Sequence, residues 1–207
     1  MAAIIFDFDG TIADSFETIV QVFHELTGRH DKIPPEEIQR LRGMSLHKAA
    51  KELEVRPWAM PFLVIRGRRV LGRRIADISA HAGIPETVRK LYAEGHQLFI
   101  MSSNSEANIQ LFLQQHHMAK EFIRIYGSVG LLSKARVIRK IRRQNQLGSD
   151  NCWYIGDEVR DVEAAEFAGI NVIAVTWGFN TAELLNRYHP TAMADTPKEL
   201  LSILENV

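Results

Sequence analysis

Five short apolar runs punctuate the chain: AAIIF (2–6), QLFIM (97–101), FIRIY (122–126), CWYI (152–155) and NVIAVTW (171–177). They are brief and nearly unbroken, which is the pattern of strands buried on both faces of a parallel sheet. Helical periods lie between them. Pro85 opens one such stretch and Gly95 closes it. Ser133 precedes another, whose apolar side holds Val137, Ile138 and Ile141, and Gly148 ends it. A third covers 159–168 and stops at Gly169. Proline at the start and glycine past the end suit helix boundaries. Strands alternating with helices predict βαβ units, right-handed crossovers and an α/β fold with a Rossmann-like, doubly wound parallel sheet.

Residues 16–80 break that rhythm. Phe16, Ile19, Val20, Phe23 and Leu26 fall on one helical face ahead of Gly28. Pro34 and Pro35 precede a second helical stretch, and Ser45 is placed to cap a third. The run FLVI (62–65) fits a helix or a strand. The pattern predicts an α/β core over 1–14 and 82–207, with an inserted all-helical domain over 15–81.

Charge changes this picture little. Lys plus Arg and Asp plus Glu number 25 each, so no global field points to nucleic acid or to a membrane. From Ser15 to Gly83 there are 12 basic and 8 acidic residues, against 13 and 17 elsewhere, a weak mark of a segment with its own character. The basic run RGRRVLGRR (66–74) has no interleaved aromatics to stack bases. It reads as a solvated helix face; were it to face a ligand site, its arginines would suit a carboxylate or a second phosphate. A single cysteine, Cys152, excludes an internal disulfide framework. No basic-then-apolar leader opens the chain, and no apolar run approaches the roughly 20 residues of a membrane span. A cytoplasmic setting is expected.

The chemistry lies just past the apolar runs, where doubly wound sheets bind ligands. Asp7, Asp9, Gly10 and Thr11 follow the first run; Ser102, Ser103 and Asn104 follow the second. Lys134 comes after the third, and Gly156, Asp157, Glu158 and Asp161 after the fourth. Clustered carboxylates repel one another, and a hard divalent cation such as magnesium relieves that repulsion. Asp7 and Asp157 are the first candidates to hold it, with Asp161 beside them or behind. A lysine and several donors on the same rim suit phosphate. In an extended chain, side chains two residues apart share a face at roughly 7 Å. One aspartate can then attack phosphorus while the other serves the leaving oxygen.

The segment DFDGTIADS, Ser102 after an apolar strand, Lys134 opening a helix, and YIGDEVRD together resemble the four motifs of the haloacid dehalogenase superfamily. Over its whole length the chain is similar to the phosphoglycolate phosphatase-like branch, which carries a helical cap between the first and second motifs. The resemblance implies a Mg²⁺-dependent phosphatase acting on a small phosphorylated metabolite such as phosphoglycolate. It implies Asp7 as nucleophile and metal ligand, and Asp9 as general acid/base whose main-chain carbonyl also meets the metal. Thr11 and Ser102 would hold the phosphoryl group, with N–H groups of Gly10 and Ser103 completing the cradle. Lys134 would offset charge on the nucleophile, and Asp157 and Asp161 would serve the metal. Glu158 stands where this branch often has a small hydroxyl residue; it reads as an extra carboxylate near the metal or, by preference, as a solvent-facing residue. Two alternatives stand beside this: a phosphomutase of the superfamily, which would share all four motifs, and a phosphoacceptor or binding domain without catalysis, against which the inserted segment and Asp9 argue. Monomer and homodimer stay equally open.

Overall fold

The computed structural model describes residues 1–27, 34–130 and 133–205. Gly28, expected to end the first helix, lies outside them. Six strands form one parallel sheet: β1 (Ala3–Phe6), β2 (Gln97–Met101), β3 (Phe122–Tyr126), β4 (Cys152–Gly156), β5 (Asn171–Val175) and β6 (Ala192–Ala194), in the order β3-β2-β1-β4-β5-β6. The fold is the α/β, doubly wound architecture that the alternation predicts. The chain lays strands to one side of β1, then returns and lays the rest to the other, so the switch point falls between β1 and β4.

Burial on both faces explains why these runs lack polar alternation. In register, Ile4 lies opposite Leu98 and Trp153, and Phe6 opposite Ile100 and Ile155. Those even layers belong to one apolar cluster. Ala3, Ile5, Phe99, Met101, Cys152 and Tyr154 turn to the other face and a second cluster. Helices α5 (Ile84–Ala93), α6 (Glu106–Gln115), α7 (Lys134–Gln144), α8 (Val159–Ala168), α9 (Ala182–Asn186) and α10 (Pro197–Leu204) connect and cover the strands. Helix α8 falls on the predicted 159–168, closed by Gly169 in the left-handed region at φ +68°. Strand β5 stops two residues short of the predicted end, and Trp177 instead donates its indole N–H to the Thr11 carbonyl at 3.1 Å.

Between β1 and α5 the described residues hold helices and no strand: α1 (Phe16–Thr27), α2 (Pro35–Arg42), α3 (Leu46–Glu52) and α4 (Met60–Arg74). FLVI is helical, within α4. Ser45 stands at the start of α3, but its hydroxyl makes no cap bond. Helices α2 and α3 bury no residue fully. The chain leaves and re-enters this segment through two crossings bound to each other: Asp14 N–H donates to the Ser79 carbonyl at 2.9 Å, and His81 N–H to that of Ile12 at 3.0 Å.

Candidate active site

Strand β1 delivers Asp7 one residue past its end, β4 delivers Asp157 likewise, and the first turn of α8 turns Asp161 back toward both. Carboxylate oxygens of the three lie within 4.8 Å of one another, and all three residues are buried. Lys134, opening α7, donates to Asp7 at 2.6 Å, to Asp161, and to the Tyr154 hydroxyl at 3.2 Å. Asp7, Asp157, Asp161 and the nearby Glu158 stand against two cations, Lys134 and Arg160, which leaves an excess of negative charge in a dry site.

Burial and that excess together shift the protonation of Asp7, Asp157 and Lys134. Burial lifts Asp7 to about 7 from 3.8, against the opposing pull of Lys134. Asp157 is pushed well up, by burial first and then by Glu158, Asp161 and Asp7. Burial would lower Lys134, but the carboxylates of Asp161 and Asp7 outweigh it and leave the lysine raised. A divalent cation among these oxygens removes the conflict, and an all-oxygen donor set fits a hard ion.

Asp9 stands apart from the acidic group. Its carboxylate accepts from Ser15 Oγ at 3.1 Å and from Asn104 Nδ2 at 3.2 and 3.3 Å, and it lines a cavity. Burial raises it to about 6, while the Ser15 and Asn104 hydrogen bonds restrain the rise. So the two aspartates of DFDGT occupy different environments: one is bound to lysine, the other faces an open space.

A family profile described as haloacid dehalogenase-like hydrolase matches residues 4–175. The chain belongs to that family. A phosphoglycolate phosphatase of Synechococcus elongatus is 34% identical over 203 residues, 97% of this chain and 96% of that one. A 5′-nucleotidase of Pseudomonas aeruginosa is 26% identical over 98% of this chain and 95% of its own. Among solved structures, a haloacid dehalogenase-like family hydrolase from Streptococcus pneumoniae superposes with a TM-score of 0.80 at 25% identity, covering 98% of each chain. The chain is an enzyme, a haloacid dehalogenase-like phosphatase.

In this haloacid dehalogenase-like site several expected donors already have partners. Thr11, fully buried, donates its hydroxyl to Asp157 at 2.6 Å. Gly10 N–H donates to the Ala13 carbonyl at 2.9 Å. Gly10 also sits at φ +80°, and a Cβ there would overlap the Asp157 carboxylate and the Phe179 ring. Ser102 is buried and its Oγ accepts from Asn104 N–H at 3.0 Å; Ser103 lines the cavity beside Asp9. Glu158 is not solvent-facing as expected. It is 8% exposed, pairs with Arg160, and receives the return of α8 through its N–H, which donates to Asp161 at 3.1 Å.

The loop after β5 escaped the sequence reading. Phe179 N–H donates to the second Asp157 oxygen at 2.7 Å, and Asn180 N–H to the Asp157 carbonyl at 3.2 Å. A Cβ at Gly178 would collide with the same carboxylate. Asn180, 5% exposed, accepts from Val159 N–H at 2.9 Å and donates to the Arg42 and Met44 carbonyls at 3.1 and 3.0 Å. It ties the start of α8 to the α2–α3 turn. The signal was available: Gly178–Phe179–Asn180–Thr181 is a polar turn past a strand end on the same rim.

Proposed function

We propose that the chain is a Mg²⁺-dependent phosphatase that hydrolyses a small phosphate monoester, phosphoglycolate first among them, through an aspartyl-phosphate on Asp7. The observation that carries this reading is the Asp7 carboxylate, held by Lys134 within a buried acidic group and one residue pair away from a separately housed Asp9. The name of the Synechococcus relative, at 34% identity over nearly the whole chain, supports the substrate.

Asp7, Asp157 and Asp161, with the Asp9 carbonyl, would hold the metal. When bound it supplies positive charge to the phosphoryl oxygens and keeps Asp7 ionised. An Asp7 oxygen attacks phosphorus, the bond from phosphorus to the ester oxygen breaks, and protonated Asp9 gives that oxygen its proton. The alcohol leaves. Asp9, now ionised, takes a proton from water as the water oxygen attacks phosphorus. The bond from phosphorus to Asp7 breaks, releasing phosphate and restoring both carboxyls. Lys134 stays charged throughout and offsets the negative charge on Asp7 and the phosphoryl group. Ser102, Thr11 and the N–H groups of Gly10 and Ser103 are the proposed phosphoryl donors, and Thr11 would turn from Asp157 to reach it.

The segment 15–81 serves as a cap over the core of 1–14 and 82–207, swinging about the paired crossings at 12–14 and 79–81 and excluding water from the first step. A cytoplasmic setting accords with a single buried thiol and with the lack, among the described residues, of any helix long and apolar enough to cross a membrane.

Inorganic phosphate release from phosphoglycolate with Mg²⁺, absent with EDTA and absent in Asp7→Asn, is the expected result. An isomerised product without phosphate release would favour the mutase. Undiminished release by Asp7→Asn would overturn the mechanism.

A further inference from the structure

A cavity of about 310 Å³ opens between the helical segment and the rim, and its walls are mostly apolar side chains of α1–α4. Its polar lining on the core side is Asp9, Ser103, Asn104, Asn180 and Glu158, the last already paired with Arg160. Two arginines line it, Arg42 and Arg68. Arg42 is occupied: its Nε donates to the Phe179 carbonyl at 3.1 Å and its Nη2 to that of Gly178 at 2.5 Å. Arg68, on α4 within the basic run, is different. Its Nε is buried with no hydrogen-bond partner, and among the described residues its guanidinium forms no ion pair. Outside its own helix, and among the described residues, the hydrogen bond it makes is through its main-chain carbonyl, which accepts from Asn108 Nδ2 at 3.0 Å. It lies within the field of Asp9, and burial lowers its proton affinity while Asp9 restores part of it.

A half-buried guanidinium without a partner is costly to keep, and a carboxylate answers its fork of donors in two parallel bonds. We propose that Arg68 is a specificity residue, binding a carboxylate carried by the leaving group of the substrate. The assignment rests on the phosphatase reading above. With phosphorus at Asp7 and the ester oxygen at Asp9, the rest of the molecule extends into the one space that Asp9 and Arg68 share. In phosphoglycolate a single carbon separates the ester oxygen from the carboxylate. Apolar walls around the pair keep water from screening it. Among the described residues, the other cavity cation is already spent on two carbonyls, so selection for an anionic leaving group falls to Arg68.

Two esters of nearly equal size test this: 2-phosphoglycolate, and 2-hydroxyethyl phosphate, which bears an uncharged hydroxymethyl group where the first bears its carboxylate. Binding is measured by calorimetry with Mg²⁺ on Asp7→Asn, and turnover on the chain with Asp7 intact. Asp7→Asn is expected to bind phosphoglycolate about tenfold or more tightly than the neutral ester, a difference of ~1.4 kcal/mol per tenfold. Adding Arg68→Met should erase that gap, and Arg68→Lys should keep part of it, as a point charge without the fork. In turnover, Arg68→Met should raise KM for phosphoglycolate about tenfold while kcat, and both constants for the neutral ester, stay within about twofold. Its melting temperature should equal or exceed that of the wild type, because Nε has no partner to lose and its burial without one is a cost. Equal losses on both esters, or equal binding of both to Asp7→Asn, would overturn the assignment, as would binding of neither. A wild type that binds phosphoglycolate preferentially through Arg68 yet releases no phosphate would overturn the phosphatase reading and leave the arginine's role standing.

Discussion

The rim of the sheet and the helical segment above it solve opposite problems. At the rim, Asp7, Asp157, Asp161 and Lys134 are buried and each is bound to a defined partner. Among the described residues of the segment from α1 to α4, Val22 and Leu71 are the buried apolar ones; most of the others line a cavity, and Trp58, Phe62 and Ile65 are exposed to solvent. One region holds charge in fixed positions at the expense of stability. The other leaves space and spends little on packing. Phosphoryl chemistry rewards the first, because donors aimed in advance need no reorganisation as charge develops. Choosing among substrates, and opening to release product, rewards the second.

The largest effects should come from breaking the rim. Asp7→Asn is expected to lower turnover by about 10⁴-fold or more, as loss of a nucleophile does. Asp9→Asn should cost about 10²–10⁴-fold, the range of a lost general acid/base. The two should fail differently under rapid quench: the first traps no phosphoenzyme, and the second forms or clears it slowly. Identical behaviour would mean that their separate environments have no separate consequences.

Next comes Lys134→Met, which leaves Asp7 and Asp161 buried without their cation. Breaking a buried pair costs about 3–5 kcal/mol, readable as a lower urea midpoint without metal, and Mg²⁺ should recover part of it. A midpoint unchanged from the wild type would contradict the charge balance drawn for the rim.

Proton linkage tests the same balance without removing the lysine. Asp7 has a folded value of about 7 against 3.8 for a free side chain. Between those values the folded state holds a proton that the unfolded chain has released, so protonation favours folding. Without metal, the contribution of Asp7 to stability is therefore full below about 4 and lost as pH rises through about 7. Melting temperatures of the wild type should fall relative to Asp7→Asn across that window, and Mg²⁺ should stabilise the wild type more at its upper end. Parallel curves with and without Mg²⁺ would mean that the acidic group holds no ion.

The same division marks what could be read from the residues alone. Strands buried on both faces write themselves as unbroken apolar runs, so β1 to β5 and the acids past their ends were legible. Helix α8 was legible at both ends because Gly169 must occupy the left-handed region. Strand β6 was not, since Ala192–Ala194 is too short to carry a period, although Thr196 and Pro197 do signal the start of α10: the Thr196 hydroxyl accepts from Glu199 N–H at 3.2 Å. Phe179 escaped because its work is done by a main-chain N–H, which any residue carries, and Asn180 because its side-chain amide meets main-chain groups of Val159, Arg42 and Met44 that leave no mark in the sequence. Glu158 was misplaced because its neighbour Arg160, which makes burial tolerable, announces nothing at a spacing of two. In the helical segment, amphipathic faces were plain, but not that they surround a space, since one sequence pattern fits a filled interior and a hollow one equally well.

The smallest effect bears on that hollow. Leu98 lies in β2, fully buried between its neighbours, whereas Leu63 on α4 is partly exposed and lines the cavity. Truncating a leucine in a close-packed core removes its transfer energy and leaves a void that the surroundings cannot fill, about 2–5 kcal/mol together. At Leu63 one side of the leucine already lacks contacts, so Leu63→Ala enlarges an existing space and forfeits only part of the transfer energy, about 1 kcal/mol or less. Urea denaturation of Leu98→Ala and Leu63→Ala should therefore differ severalfold in lost stability. If Leu63→Ala lost as much as Leu98→Ala, the helical segment would be packed as tightly as the sheet. The cavity would then be too rigid to admit a leaving group without displacing its walls, and the contrast between the two regions would fall.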